Sequence, residues 1–209
     1  MAIRNSSNGE IKDKNIKKMK KAEYKKIEEI FEDTRNLITE SESLKKEIAK
    51  TIEKTVNGIK KGGKIIAMGN GGSAADAQHF VAEFIGRFNK ERESIPALAL
   101  TTDSSIITSI GNDYSFEKIF SRQCESMVKK NDIVFAISTS GKSKNVIEGI
   151  KIAKKKGALV IGITGENGKT LRKFSDIVLC IPSKSTPRIQ EIHRIILHII
   201  CQFIEEELS

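Results

Sequence analysis

The sequence predicts an α/β fold in which one five-stranded parallel sheet is flanked by helices and preceded by an N-terminal pair of helices. Five short apolar runs alternate with stretches of helical periodicity from Lys64 onward, which is the pattern of successive βαβ units. A glycine-rich turn follows the first apolar run and opens a helix. With 209 residues, the chain has the size of one domain carrying an appendage.

The N-terminal part of the chain divides into a tail and two helices. Residues 1–22 lack apolar periodicity and are rich in lysine, so we expect a basic, mobile tail. Apolar residues then recur at helical spacing in two groups within residues 23–61, and the second group stops at Gly62-Gly63. Helices outside a compact α/β unit often mediate self-association. We therefore assign residues 23–61 to oligomer contacts and residues 62–209 to the α/β domain.

The five apolar runs place the strands of the sheet. Strands are predicted at residues 64–68, 96–101, 132–137, 158–163 and 176–181. Helices are predicted at residues 72–88, 104–111 with a further turn near 116–128, 143–156, 168–173 and 187–207. Ligands of open α/β sheets bind beyond the carboxyl ends of the strands, so the loops at 69–73 and 138–143 are expected to face one crevice.

The first of these loops is Gly69-Asn70-Gly71-Gly72-Ser73. Glycines permit close approach of the backbone to a ligand, and the amides at the following helix start favour a phosphate or sugar oxygen. The loop also fits the dinucleotide fingerprint G-x-G-x-x-A, which needs an acidic residue about 20 positions further on. The nearest acid at a strand end is Asp103, more than 30 positions after Gly69. A nicotinamide cofactor is therefore disfavoured.

The second loop is Ser138-Thr139-Ser140-Gly141-Lys142-Ser143, which also leaves a strand and opens a helix. Its hydroxyl groups and the helix-start amides form a predicted phosphate pocket. The end of the loop matches the tail of a nucleotide P-loop, but Ala136 stands where that motif requires its first glycine. Two such loops on alternating strands indicate binding of a phosphate or a sugar phosphate.

Polar groups that can carry chemistry occur on two of the predicted helices. His79 and Glu83 are four residues apart, so they share a helix face beside the glycine loop and form a metal platform or an acid/base pair. The last helix adds Gln190, His193 and His198. On a helical wheel the two histidines lie about 60° and about 80° from Gln190 on opposite sides, so spacing alone does not choose between them.

Composition excludes several other classes of protein. The formal net charge is +9, but residues 1–26 carry +6 of it and leave a nearly balanced body, so no nucleic-acid partner is expected. No apolar stretch is long enough for a membrane span or a signal peptide, so we expect no membrane association and a cytoplasmic location. Three widely spaced cysteines predict buried or half-buried thiols rather than disulfides or a thiolate metal site.

Several short segments together carry a resemblance to a known family. The chain resembles the sugar isomerase (SIS) domain superfamily and, within it, the phosphoheptose isomerase family, from about Leu44 to the C-terminus. The matching segments are Gly69-Asn70-Gly71-Gly72-Ser73, Ala77-Gln78-His79-Phe80, Gly111-Asn112-Asp113, Phe120-Ser121-Arg122-Gln123, Ile137-Ser138-Thr139-Ser140-Gly141 and Arg188-Ile189-Gln190-Glu191-Ile192-His193.

The resemblance implies a homotetramer with one zinc ion per subunit. It implies an enzyme that converts sedoheptulose 7-phosphate to D-glycero-D-manno-heptose 7-phosphate through an enediol(ate), in bacterial heptose biosynthesis for lipopolysaccharide or capsule. A related SIS-domain regulator binds a replication initiator protein, and this is the alternative function. That regulator lacks the carboxylate and the last histidine of the isomerases. Because this chain retains Glu83 and His198, the isomerase is preferred.

The resemblance also implies roles for single residues. The zinc-ligand positions are His79, Glu83, Gln190 and His198, which leaves His193 a structural role. Glu83 and His198 are the implied catalytic residues, and Arg87 is implied to reach the substrate or a neighbouring subunit. The implied substrate-binding residues are Asn70, Gly71, Gly72, Glu83, Asn112, Asp113, Ser138, Thr139, Ser140, Ser143 and Gln190.

Overall fold

The computed structural model describes residues 21–209. The predicted tail lies outside the described residues, apart from its last two positions, which are helical. Helix α1 covers Lys21–Ser41, a short 3₁₀ turn covers Glu42–Leu44, and α2 covers Lys45–Lys60. The chain divides into two compact units at Arg35, inside α1, so that Asn36–Ser209 forms one unit. Within this unit α2 packs against α8 and buries Ile48 and Val56.

The predicted five-stranded parallel sheet is confirmed, and its strand order is β2-β1-β3-β4-β5. The strands are β1 (Ile65–Gly69), β2 (Ala97–Ala99), β3 (Ile133–Ile137), β4 (Leu159–Gly165) and β5 (Ile177–Ile181). The edge strand β2 is shorter than predicted, because the chain turns at Leu100 toward a helix that Asp103 caps. Strand β4 is longer than predicted, since Gly165 still pairs with Ile181.

The predicted helices on the two faces of the sheet are also present. They are α3 (Gly72–Ile85), α4 (Ser104–Asp113), α5 (Ile119–Met127) after a 3₁₀ turn at Phe116–Lys118, α6 (Lys144–Lys155), α7 (Lys169–Phe174) and α8 (Thr186–Leu208). Helix α3 ends three residues before the predicted position 88. The carbonyl groups of its last turn bind an arginine side chain instead of continuing the helix.

Both faces of the sheet are buried, as expected for parallel strands covered by helices. Alternate strand residues such as Ile65, Ala67 and Phe135 belong to a core with α3 and α8. The residues between them, such as Ile66 and Val134, belong to a second core with α5 and α6. The thiols follow the prediction, since Cys124 and Cys201 are buried and Cys180 is half-buried, all three without a disulfide.

The two candidate loops leave neighbouring strands at the same edge of the sheet. Gly69, the last residue of β1, is in register with Ile137, the last residue of β3. Asn70 of the first loop then bonds Asn145, in the first turn of α6, through two side-chain hydrogen bonds of 2.9 and 2.8 Å. A search of the helices in the described part of the chain finds none with the length and apolar character of a membrane span.

Candidate active site

The candidate site lies along the contact between α3 and α8, where polar side chains of the two helices meet in order. We call this contact the α3–α8 seam. Its α3 residues are Gly72, Asp76, His79 and Glu83, and its α8 residues are Gln190, Arg194 and His198. Three cross-helix pairs follow one another: Gly72 with Gln190, Asp76 with Arg194, and His79 with His198. Both series ascend together, so the two helices run parallel along the seam.

Two imidazoles and a carboxylate converge at one end of the seam. The Nε2 atoms of His79 and His198 are 2.8 Å apart, and His79 Nε2 lies 3.3 Å from Glu83 Oε1. One ligand atom from each of the three residues lies within 4.8 Å of those of the other two. The side chains of His79 and Glu83 are 37% and 20% exposed, so an ion or a small molecule can reach the cluster.

The surroundings of His198 favour its neutral form. Burial lowers the pKa of His198, and the charges of His79 and Arg194 act in the same direction, while Glu83 opposes them. A neutral imidazole keeps a free lone pair on one nitrogen. His198 is therefore suited either to bind a metal ion or to accept a proton.

The three residues His79, Glu83 and His198 could hold a metal ion. Two histidine nitrogens and one glutamate oxygen are a known ligand set of catalytic zinc, in which a further position stays open for water or substrate. Gln190 lies two turns before His198 on α8, and its amide packs on Gly72. A Cβ atom added to Gly72 would lie 2.4 Å from Gln190 Nε2, so glycine is required there for this contact.

A cavity of about 620 Å³ opens beside His198, and its size is that of a small-molecule site. The residues that line it are Gly72, Ala75, Asp76, Pro187, Gln190, Glu191, Arg194, Ile195 and His198. Arg194 donates to Asp76 Oδ1 at 2.6 Å, and the Asp76 side chain is 4% exposed. The cavity thus combines the imidazole with amide, carboxylate and guanidinium groups that can hold a polyhydroxylated ligand.

The second candidate loop, Ser138 to Ser143, gathers hydroxyl groups at the start of α6, and we call it the serine loop. The hydroxyl groups of Ser138 and Ser143 are 3.0 Å apart, and the amide of Lys142 donates to Ser140 Oγ. Gly141 has a φ of +63°, and a Cβ atom there would lie 2.6 Å from the Cα atom of Gly168. The loop therefore needs glycine at this position to bring its hydroxyl groups to the start of α6.

Of the predicted site residues, Gly72, Gln190 and His198 line the cavity, and His79 and Glu83 meet His198 in the seam. The serine loop, Asn70 and Gly71 do not line it, and three further residues lie on the surface. Asn112 and Asp113 are exposed at the end of α4 and hydrogen-bond to each other, and Arg87 is exposed and pairs with Glu91. None of the three is among the described residues that line the cavity. Their predicted contacts with substrate or a neighbouring subunit stay predictions.

The two histidines of α8 have different environments. His193 is completely buried on the apolar face of the helix, and neither of its ring nitrogens has a hydrogen bond within the described part of the protein. Burial lowers the pKa of His193 to about 4, with the backbone of Thr164 acting in the opposite direction. The helix turns the side chain of His193 into the core, away from the cluster formed by His79, Glu83 and His198.

Sequence reasoning missed two ion pairs of the site region. One is Asp76 with Arg194 in the seam, and the other joins Arg92 to Glu205 at 3.1 Å. The first pair had a usable signal, because Arg194 lies midway between Gln190 and His198 at four-residue spacing. The second pair spans 113 residues and had no local signal.

Comparison with known proteins places the fold and the site in a family. Residues 29–165, more than half of the chain, match the family model described as SIS domain, so the chain is a SIS-domain protein. A phosphoheptose isomerase of Campylobacter jejuni is 49% identical over 86% of this chain and 97% of its own length. The chain belongs to the phosphoheptose isomerase family.

Solved structures agree with this assignment. A phosphoheptose isomerase from Neisseria gonorrhoeae has a TM-score of 0.83 and 38% identity, covering 88% of this chain and 98% of its own. The corresponding protein of Francisella tularensis has a TM-score of 0.85 and 35% identity over the same shares. The resemblance drawn from the short segments is therefore confirmed.

Proposed function

We propose that this chain is an aldose–ketose isomerase that interconverts sedoheptulose 7-phosphate and D-glycero-D-manno-heptose 7-phosphate. The observation that carries the proposal is the convergence of His79, Glu83 and His198 beside a cavity of sugar-phosphate size. Family membership supports the substrate, since the relatives at about half identity bear the name phosphoheptose isomerase. Family membership does not favour the alternative function, a regulator that binds a replication initiator protein.

The reaction needs one base and one acid. A proton leaves C1 of the ketose to give an enediol(ate), a proton is delivered to C2, and the hydroxyl proton passes from O1 to O2. We assign these transfers to Glu83 and His198, which lie on different helices and face the same space. General acid–base catalysis of this kind contributes roughly 10² to 10⁴ in rate. The neutral form of His198 suits a group that accepts a proton.

A zinc ion, one per subunit, fits the same residues. His79, Glu83 and His198 would hold it, with Gln190 as the proposed fourth ligand. When bound, the ion supplies a Lewis acid that polarises the oxygens of the substrate. Glu83 can serve as both ligand and base because a carboxylate offers two oxygens.

The distal phosphate is assigned to the serine loop. Ser138, Thr139, Ser140 and Ser143 offer hydroxyl groups, and the start of α6 adds backbone amides and the positive end of a helix dipole. Asn70, Gly71 and Gly72 would contact the sugar from the neighbouring loop. Holding the phosphate at a distance positions C1 and C2 against the proton-transfer groups.

The proposal also covers the oligomeric state of the protein and its location in the cell. Self-association as a homotetramer is supported by exposed apolar side chains on α1, where Tyr24 and Phe31 are 62% and 68% exposed. It is also supported by an apolar groove that Ile48, Ile52 and Phe203 help to line between α2 and α8. We place the reaction in the cytoplasm, since a phosphorylated sugar does not cross a bilayer unaided, and assign the product to lipopolysaccharide or capsule.

The direct test is incubation of the purified protein with sedoheptulose 7-phosphate, with the product identified by NMR and the zinc content measured in parallel. Glu83→Gln and His198→Gln are expected to lower kcat by about 10² or more. Glu91→Gln is a matched control, because Glu91 follows α3 but its side chain is 86% exposed. Unchanged sugar with the wild-type protein, or near-normal turnover in both site variants, would refute the proposal.

A further inference from the structure

A buried ion pair joins the C-terminal half of α8 to the segment that follows α3. Arg92 Nε donates to Glu205 Oε1 at 3.1 Å, and the two side chains are only 5% and 2% exposed. Glu205 lies seven residues, or two helical turns, after His198, on the same side of α8. The pair therefore lies next to the proton-transfer groups along the same helix contact.

Glu205 organises the loop after α3. Its two carboxylate oxygens also accept the backbone amides of Phe88 at 3.0 Å, Asn89 at 2.8 Å and Lys90 at 3.0 Å. Burial by itself raises the pKa of the Glu205 carboxyl, but these amides and the Arg92 charge outweigh it and lower the pKa below its usual value. The carboxylate is thus charged and fully hydrogen-bonded inside the protein.

Arg92 caps the end of α3. Its guanidinium donates to the carbonyl oxygens of Glu83 at 2.8 Å, Phe84 at 3.0 Å and Glu93 at 2.9 Å. The carbonyls of the last helical turn have no partners within the helix, so an arginine side chain satisfies them and also complements the negative end of the helix dipole. One of the fixed carbonyls belongs to Glu83 itself.

We propose that Arg92 and Glu205 are positioning residues, which hold the Glu83 turn of α3 and the His198 turn of α8 at a fixed separation. We call this pair the Arg92–Glu205 clamp. The expected effect of the clamp on catalysis rests on the proposed function. Its expected effect on geometry concerns only the donor atoms of His79, Glu83 and His198. Metal ligation tolerates errors of only about 0.2 Å in ligand distances, and a misplacement of about 1 Å can cost about 10²-fold in rate.

The chain offers a matched control for a substitution in the clamp. Asp132 is also a buried carboxylate, 3% exposed, which pairs with Lys64 Nζ at 2.6 Å. It accepts the backbone amides of Lys64 at 3.0 Å and Lys129 at 2.8 Å. Asp132 lies just before β3, and its hydrogen bonds reach Lys64 before β1 and Lys129 after α5, so it joins neither α3 nor α8. Glu205→Gln and Asp132→Asn therefore remove similar interactions, of which only the first joins α8 to the end of α3.

The experiment measures three quantities for the wild type, Glu205→Gln and Asp132→Asn: zinc affinity by chelator competition, kcat and KM for sedoheptulose 7-phosphate, and unfolding by urea. We expect both variants to lose stability. Only Glu205→Gln is expected to lose zinc affinity and kcat, each by about tenfold or more. Its KM should change little, because the serine loop that holds the phosphate is untouched. Arg92→Lys, which keeps the charge but loses the fork of donors, should show the same pattern more weakly.

The outcomes separate the clamp from the proposed function. Equal effects of Glu205→Gln and Asp132→Asn on zinc affinity would overturn the clamp, because the role of Glu205 would then be stability alone. Normal zinc affinity in folded Glu205→Gln would overturn it as well. If Glu205→Gln fails to fold, Arg92→Lys decides by the same criteria. A wild-type protein that leaves the sugar unchanged, with the selective loss of zinc affinity still present, would refute the proposed function and support the clamp.

Discussion

Replacing His193 with phenylalanine is expected to remove a large part of the protein's sensitivity to acid. His193 is 0% exposed, and both of its ring nitrogens lack hydrogen bonds among the described residues. The folded protein must keep this imidazole neutral, whereas the unfolded chain can protonate it freely. Phenylalanine fills a similar volume, has no proton to gain, and removes the two unpaired nitrogens.

The size of the effect follows from the pKa of His193, which burial lowers from 6.5 to about 4. Between these values the unfolded state binds a proton that the folded state does not, so stability falls as the pH falls. Relative to neutral pH, the buried imidazole lowers the free energy of unfolding by about 2 kcal/mol at pH 5 and by about 3 kcal/mol at pH 4. Well above pH 6.5 the imidazole is neutral in both states and the contribution vanishes.

The measurement is urea unfolding of the wild type and His193→Phe at pH 7 and pH 5, at one protein concentration and with chelator present. Other titrating groups contribute equally to both proteins, so the difference between their pH dependences isolates His193. We expect the wild type to lose about 2 kcal/mol more than the variant between the two pH values. Equal losses in the two proteins would refute the reasoning and indicate that His193 is protonated in the folded state, with a hydrogen-bond acceptor beside its ring.

Three further predictions concern the candidate site. Gly72→Ala places a Cβ atom 2.4 Å from Gln190 Nε2. Because Nε2 is the end of a flexible side chain, the free energy of unfolding should change by less than about 1 kcal/mol. Displacement of Gln190 should lower zinc affinity about tenfold in chelator competition. Unchanged zinc affinity would remove Gln190 from the ligand set. Gly141→Ala forces a side chain onto a φ of +63° and should lower the free energy of unfolding in urea by at least about 1–2 kcal/mol. The KM should rise as well. An unchanged KM would show that the serine loop does not bind the phosphate. Arg194→Met removes a positive charge that lowers the pKa of His198, so that pKa should rise in an NMR titration of the metal-free protein. A pKa that stays constant or falls would contradict the assignment of Arg194 to the electrostatics of the site.

The fold could be predicted from the sequence because each element carries its own periodicity. The five apolar runs place all five strands, and the i, i+4 spacing of His79 and Glu83 places both on one face of α3. Element ends were less certain where tertiary contacts decide them. Helix α3 stops early because Arg92, seven residues beyond its end, binds the last carbonyls.

The choice between the histidines of α8 depended on how that helix is rotated against α3. The helical wheel, measured only from Gln190, left both histidines open. A longer view of the helix separates them, because His193 shares a stripe with Ile189, Ile196 and Ile200, whereas His198 shares a stripe with Gln190 and Arg194. The apolar stripe enters the core and turns the polar stripe toward α3. Contacts such as that of Arg92 with Glu205 join residues far apart in the sequence, so no local sequence pattern predicts them.

The distance along the chain between the two imidazoles sets an order of events during synthesis. His79 and His198 are separated by 119 residues. At ribosomal rates of about 5–20 residues per second, the first imidazole is synthesised about 6–24 s before the second. A metal ion cannot be captured by the complete donor set during that interval. All the residues proposed to hold the ion therefore come together only after the polypeptide has closed around its sheet.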